Sequence, residues 1–201
     1  MTRYRTLSIV TFALLIGVGA AASRTPAADK AVLRLRAFVV NMSGTGGPPS
    51  GSTLEIVIER WSTDAEREKL RGLLIEKGSD ALLRALQSIK PRAGYIRGST
   101  SLGWDIQYAR EQPSADAGRR VILATDRPMS YWELTNRPRS VEYEFTLAEI
   151  RLSKDGKGEG KLAPAAKISW DADTRTIEIE NYGTEPVRLS HVEVEGARRA
   201  P

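Results

Sequence analysis

Hydrophobic and polar positions follow two different periods along this chain, and the switches between them mark its elements. Residues 32–40 and 54–61 read as strands; in the second, Leu54, Ile56 and Ile58 alternate with Glu55 and Glu59, the period of a strand with one buried face. They are joined by SGTGGPPSGS, whose glycines, prolines and serines mark a flexible connection. The period then lengthens. Thr63 followed by Glu66 fits a capping box, Leu70, Leu73 and Leu74 form an apolar stripe, and Gly78 stands where a helix would end. A second helix follows at once, capped by Ser79 or Asp80, burying Leu82, Leu83, Leu86 and Ile89, and stopped by Pro91. Residues 63–89 are thus predicted to form a helical hairpin.

From Tyr95 onward the strand period returns. Leu102, Trp104, Ile106 and Tyr108 alternate with Gly103, Asp105, Gln107 and Ala109, while Val121 to Thr125 is apolar on both faces and reads as a central strand. In 141–152 the apolar phase runs Val141, Tyr143, Phe145, Leu147 and then Ala148, Ile150, Leu152, which predicts a bulge near Leu147. Strands around 161–170, 175–181 and 187–195 are separated by turn signals and read as a meander of antiparallel hairpins. The expected fold is α+β: a predominantly antiparallel β-sheet curled into a barrel or sandwich, with an inserted two-helix hairpin, in a single domain over 31–196 and a short tail at 197–201.

The N-terminus changes the picture of where this domain resides. Arg3 and Arg5 precede an apolar run from Leu7 to Val18, and Ala20, Ala21 and Ala22 supply the small residues of a cleavage site. This predicts a signal peptide over 1–22, a flexible lead-in over 23–30, and an exported protein, periplasmic or extracellular. The run falls short of the roughly 20 apolar residues of a membrane span, so no transmembrane segment is expected after cleavage. The chain has no cysteine, so its stability must come from a hydrophobic core.

The formal charge of +5 falls to +3 without Arg3 and Arg5, and acids alternate with bases through most segments, which argues against a nucleic-acid partner. On the first helix Asp64/Arg67, Glu66/Lys69 and Glu68/Arg71 are spaced to neutralise one another. With one histidine, His191, and no cysteine, histidine and thiolate zinc sites and cysteine nucleophiles are excluded. His191 sits where the last strand changes phase from Val187 and Leu189 to Val192 and Val194, and reads as structural. Asp155, Asp171 and Asp173 lie in turns without the spacing of a calcium loop and read as turn formers. Trp61, Trp104 and Trp170 fall in or beside strand patterns and read as core. No cofactor is implied.

One connection is harder to explain by folding alone. TDRPMSYWELTNRPR, residues 125–139, gathers Asp126, Arg127, Tyr131, Trp132, Glu133 and Arg137 between two strands. Aromatic rings among arginines and carboxylates suit recognition by stacking and by guanidinium forks, so these six residues form the candidate ligand-binding set. The competing reading is that Trp132 plugs the end of the sheet while the charges pair on the surface. A carboxylate pair such as Asp105 with Glu133 would suit glycoside hydrolysis, with its separation left to the structure.

The stretches IERWSTDAEREKL, SLGWDIQYAR, ATDRPMSYWE and KDGKGEGKL resemble those of an uncharacterised family of exported bacterial proteins, across most of the chain beyond residue 22. The resemblance implies a location in the bacterial envelope or outside it, and carries no activity or site residue. The expected function is a non-enzymatic binding or interaction domain for an unknown small molecule or envelope protein. The alternative is a carboxylate-dependent hydrolase acting on envelope or extracellular polymers.

Overall fold

A computed structural model describes residues 31–40, 51–98, 103–114, 118–129, 142–182 and 186–196. In chain order the elements are β1 (Leu33–Val40), β2 (Gly51–Ile58), α1 (Asp64–Lys77), α2 (Ser79–Gln87), β3 (Gly94–Gly98), β4 (Trp104–Pro113), β5 (Arg119–Thr125), β6 (Phe145–Leu152), β7 (Lys157–Asp171), β8 (Thr176–Asn181) and β9 (Val187–Val194). The sheet runs β6-β5-β4-β3-β2-β1-β9-β7-β8, and β6 also pairs with β7. That second pairing closes eight strands into an antiparallel barrel and leaves β8 outside it.

The barrel interior is filled by inward-facing side chains. Leu35, Ile56, Ile58, Ile96, Ile106, Val121, Leu123, Ile150, Leu189 and Val192 are essentially inaccessible to solvent, with Trp61 and Trp104 packed against their edge. A second cluster lies on the outer surface. There Leu70, Leu74, Leu82 and Leu86 of the helical hairpin cover Phe145 of β6 and Ala163, Ala166 and Ile168 of β7, with Tyr108, Leu147 and Trp170 at its rim. Two cores on opposite faces of one curled sheet explain the apolar phases along the chain.

In β6 the phase change comes without the expected bulge. Phe145 and Leu147 face the helices while Ala148, Ile150 and Leu152 face the barrel, so opposite faces of one strand carry the apolar residues in turn. The extra residue sits across the ladder in β7, where Phe145 pairs with Ala166 but Leu147 with Ala163. Pro164, which has no N–H to donate, occupies that bulge. The bulge turns Ala166, Ile168 and Trp170 toward the helices, although Leu162 before it points into the barrel. In β4 the even alternation predicted from Trp104 to Tyr108 also breaks: a bulge at Gln107 leaves Ile106 and Ala109 inside and sends Tyr108 out to the helices. The phase change in β9 is a third bulge, at His191, whose φ of 48° is left-handed. His191 is exposed there and shapes the strand.

The second strand begins earlier than predicted, at Gly51, and ends at Ile58. The hairpin matches its capping signals at one end. Thr63 Oγ1 accepts Glu66 N at 3.1 Å, and the Glu66 carboxylate accepts Thr63 N at 2.8 Å. Gly78 ends α1 at a positive φ of 78° and donates its N–H to Leu74 O. Neither Ser79 nor Asp80 caps α2; both lie inside it, and its N-cap is Gly78, which has no side chain to offer. The helix-surface pairs also differ from expectation. Only Glu68 holds its partner along α1, reaching Arg71 at 3.6 Å as well as the adjacent Arg67 at 2.6 Å. Asp64 instead bonds Arg110 of β4 at 2.7 Å, and Glu66 takes a two-pronged bond from Arg60 at 3.0 Å on each oxygen. The first turn of α1 lies against the barrel, so its carboxylates find arginines there and tie the hairpin down.

The last three strands do not form a simple meander. β7 is long enough to have two neighbours on one side: β8 along its outer part, Ala166 to Asp171, and β9 along its inner part, Lys157 to Leu162. β9 then pairs with β1, so β8 and β9 never pair with each other. Beyond the bulge at Pro164, β7 and β8 leave the barrel as a two-stranded ribbon.

Candidate interaction surface

The base of the ribbon is a polar seam built from residues of three elements. Thr125 at the end of β5 and Thr146 in β6 are each 1% exposed. Thr125 Oγ1 donates to Arg127 O at 2.5 Å and accepts Thr146 N at 3.0 Å. The Thr146 hydroxyl points between Pro164 O at 2.9 Å and Arg127 O at 3.1 Å, and Pro164 O also accepts Met129 N at 3.0 Å. This seam fixes the first part of the connection that the sequence singled out. Asp126 is half-buried, Arg127 is exposed with its guanidinium 3.4 Å from Gly103 O, and Met129 is buried in the barrel cluster. Tyr131, Trp132, Glu133 and Arg137 lie outside the described residues. Asp105 bonds Arg92 at 2.6 Å, a guanidinium it shares with Glu59, and so has a structural partner.

Where the connection returns, Glu142 bonds Lys167 of the ribbon at 2.6 Å, and Tyr143 donates its hydroxyl to Glu180 of β8 and packs edge-on against Tyr182 with ring centres 5.2 Å apart. The first bond ties the lead into β6 to β7, and the two Tyr143 contacts tie it to the end of β8. At the tip, Asp171 accepts the N–H groups of Asp173 at 2.8 Å and Thr174 at 3.3 Å and the Thr174 hydroxyl at 2.7 Å, closing the turn into β8. Asp155 likewise bonds Ser153 in the turn between β6 and β7. Asp155 and Asp171 are therefore turn formers.

The ribbon has two unlike faces. One carries Ile168 and Trp170 of β7 opposite Ile179 and Ile177 of β8; the other carries Lys167 and Ser169 opposite Glu180 and Glu178. The helical hairpin buries Ile168 and part of Trp170 but stops short of β8. Ile177 and Ile179 are left 44% and 60% exposed. Among the described residues β8 pairs only with β7, so its other edge presents unpaired N–H and C=O groups. The sequence marked this stretch, 175–181, only as one strand of an antiparallel meander. Its alternation of isoleucine with glutamate carries no sign that both faces would be exposed.

A cleft of about 490 Å³ opens at the ribbon base, between the start of α2 and the lead into β6. Ser79, Asp80 and Arg84 face Glu142, Glu144 and Lys167 across it. Burial, and then the Asp80 carboxylate, push the Glu144 carboxyl above its usual range, with Arg84 opposing. No sequence pattern joins Asp80 to Glu144, since the hairpin and β6 meet only in the folded chain.

Among the described residues no helix is long and apolar enough to cross a membrane. The fold and this surface define a closed eight-stranded antiparallel barrel with a helical hairpin on its outer wall and a two-stranded ribbon whose outer edge no described strand covers. No family model, curated protein or solved structure matches the chain.

Proposed function

We propose that this chain is an exported, non-enzymatic interaction domain of a bacterial envelope, and that it holds a protein partner on the β7–β8 ribbon. The reading rests on one observation: Ile177 and Ile179 are exposed side by side on a strand whose outer edge pairs with no described residue. Large apolar side chains beside unpaired backbone groups are a liability for an isolated protein and an asset at an interface. The filled barrel interior favours a contact on the outside of the molecule over a ligand within it. Export is supported by Arg3, Arg5, the apolar run Leu7 to Val18 and Ala20 to Ala22. The test is a photo-crosslinking side chain placed at Ile179, and at Glu68 on the exposed face of α1 as control, in the native host. A discrete adduct from Ile179 alone is expected; equal adducts from both positions, or none from Ile179, refute the reading.

The hydrolase reading draws on one feature, the Glu144 carboxyl held protonated to higher pH beside Asp80 in a cleft. A general acid needs such a shift. Turnover of a glycan or ester panel with a bell-shaped pH profile that collapses in Glu144→Gln would establish it, and absence of turnover would remove it.

A further inference from the structure

Resting on the ribbon as the contact surface, we propose that the partner element is an extended strand alternating apolar and basic residues, which adds to the open edge of β8. The open edge requires an extended partner, because a row of alternating N–H and C=O groups is matched only by another strand. The two faces of the ribbon then set its side chains. On one face the new strand continues the row Ile168–Ile179 and Trp170–Ile177, where an apolar side chain buries the exposed isoleucines. On the other it lies beside Glu178 and Glu180, so positive side chains are favoured at the alternate positions. Glu180 already accepts a bond from the Tyr143 hydroxyl, while no described side chain bonds the Glu178 carboxylate.

The same glutamates argue against a second copy of this chain as the occupant. Full antiparallel overlap of two β8 strands sets Ile177 opposite Glu180 and Glu178 opposite Ile179, mixing the faces. The neighbouring registers that keep isoleucine with isoleucine set Glu178 opposite itself or opposite Glu180. Like charges directly opposed destabilise a strand pair, so the edge rejects itself and selects a basic strand.

The test uses the purified, isotope-labelled protein and two capped six-residue peptides, one alternating valine with lysine and one alternating valine with glutamate. The lysine peptide is expected to bind, shift the amide signals of Thr176–Asn181 and slow their hydrogen exchange, while the glutamate peptide does not. The double variant Glu178→Lys/Glu180→Lys is expected to weaken the lysine peptide about tenfold, as two attractive cross-strand pairs become repulsive, and to admit the glutamate peptide. Unchanged amide signals across the barrel show that this variant is folded. Binding indifferent to charge, shifts confined to the helices, or protection of β8 by self-association each overturn the inference. Crosslinks from Ile179 with neither peptide bound overturn the basic strand and keep the interaction surface; loss of both overturns both.

Discussion

Replacing Thr125 and Thr146 with valine, singly and together, measures how the ribbon is rooted in the barrel. Valine matches the shape of threonine and removes the hydroxyl, so the difference reads hydrogen bonding. In Thr146→Val, Pro164 O keeps Met129 N at 3.0 Å and Arg127 O keeps the Thr125 hydroxyl at 2.5 Å, so neither carbonyl is orphaned. The expected cost is about 1 kcal/mol, that of one ordinary hydrogen bond. In Thr125→Val the buried Thr146 N–H loses its acceptor at 3.0 Å, and a buried donor without a partner costs about 2–3 kcal/mol. The double variant strips Arg127 O of both hydroxyls, so its cost exceeds the sum of the singles by about 1 kcal/mol. Urea and thermal unfolding of the purified protein check this. At about 2–4 °C per kcal/mol for a domain of this size, Thr146→Val lowers the melting temperature by about 3 °C and Thr125→Val by about twice that or more. Equal effects of the two single variants, or strict additivity in the double, would refute the seam as described.

Four further outcomes follow from the geometry. Thr63→Ala removes the acceptor for Glu66 N and should cost about 1 kcal/mol in urea unfolding, with loss of helix signal. The Arg60 guanidinium, and then the Thr63 N–H, hold the Glu66 carboxyl below its ordinary 4.5. A lowered folded value means stability that is present above 4.5 and lost as pH falls through the folded value. Glu66→Gln is therefore less stable than wild type at pH 7, and the gap closes in acid unfolding series. Glu144 has the opposite sign: its raised carboxyl makes ionisation destabilising, so Glu144→Gln is more stable at pH 7 and the gain vanishes below the ordinary glutamate value. Gly158→Ala would place a Cβ 1.9 Å from Arg151 O across the β6–β7 pairing that closes the barrel, and should cost about 3 kcal/mol or more in thermal unfolding.

Much of the local structure was legible in the sequence because its causes are local. The capping box at Thr63 and Glu66, the stop at Gly78 and the phase change at His191 each depend on a few neighbouring residues, and each does in the fold what its spacing indicates. The alternating strands and the curled antiparallel sheet follow from the same short-range periodicity. What sequence could not assign were the partners across space. Asp64 and Glu66 had apparent partners one turn along the helix, yet found Arg110 and Arg60, because which arginine is near depends on how the hairpin docks. The apolar phases of β4 and β6 were read against one core when the sheet has two, so Tyr108 was placed on the wrong face and a bulge was assigned to β6 that belongs to β7.

The chain by itself determined where helices and strands form, that the sheet is antiparallel, and that a cysteine-free core must hold it together. Only the tertiary structure decided that β6 meets β7 and β1 meets β9, closing the barrel, and that β8 is left outside with Ile177 and Ile179 uncovered. The physical reason is range. A strand's period states that one face prefers burial, but whether anything arrives to bury it depends on pairings between residues far apart in the chain, and for β8 no described element does.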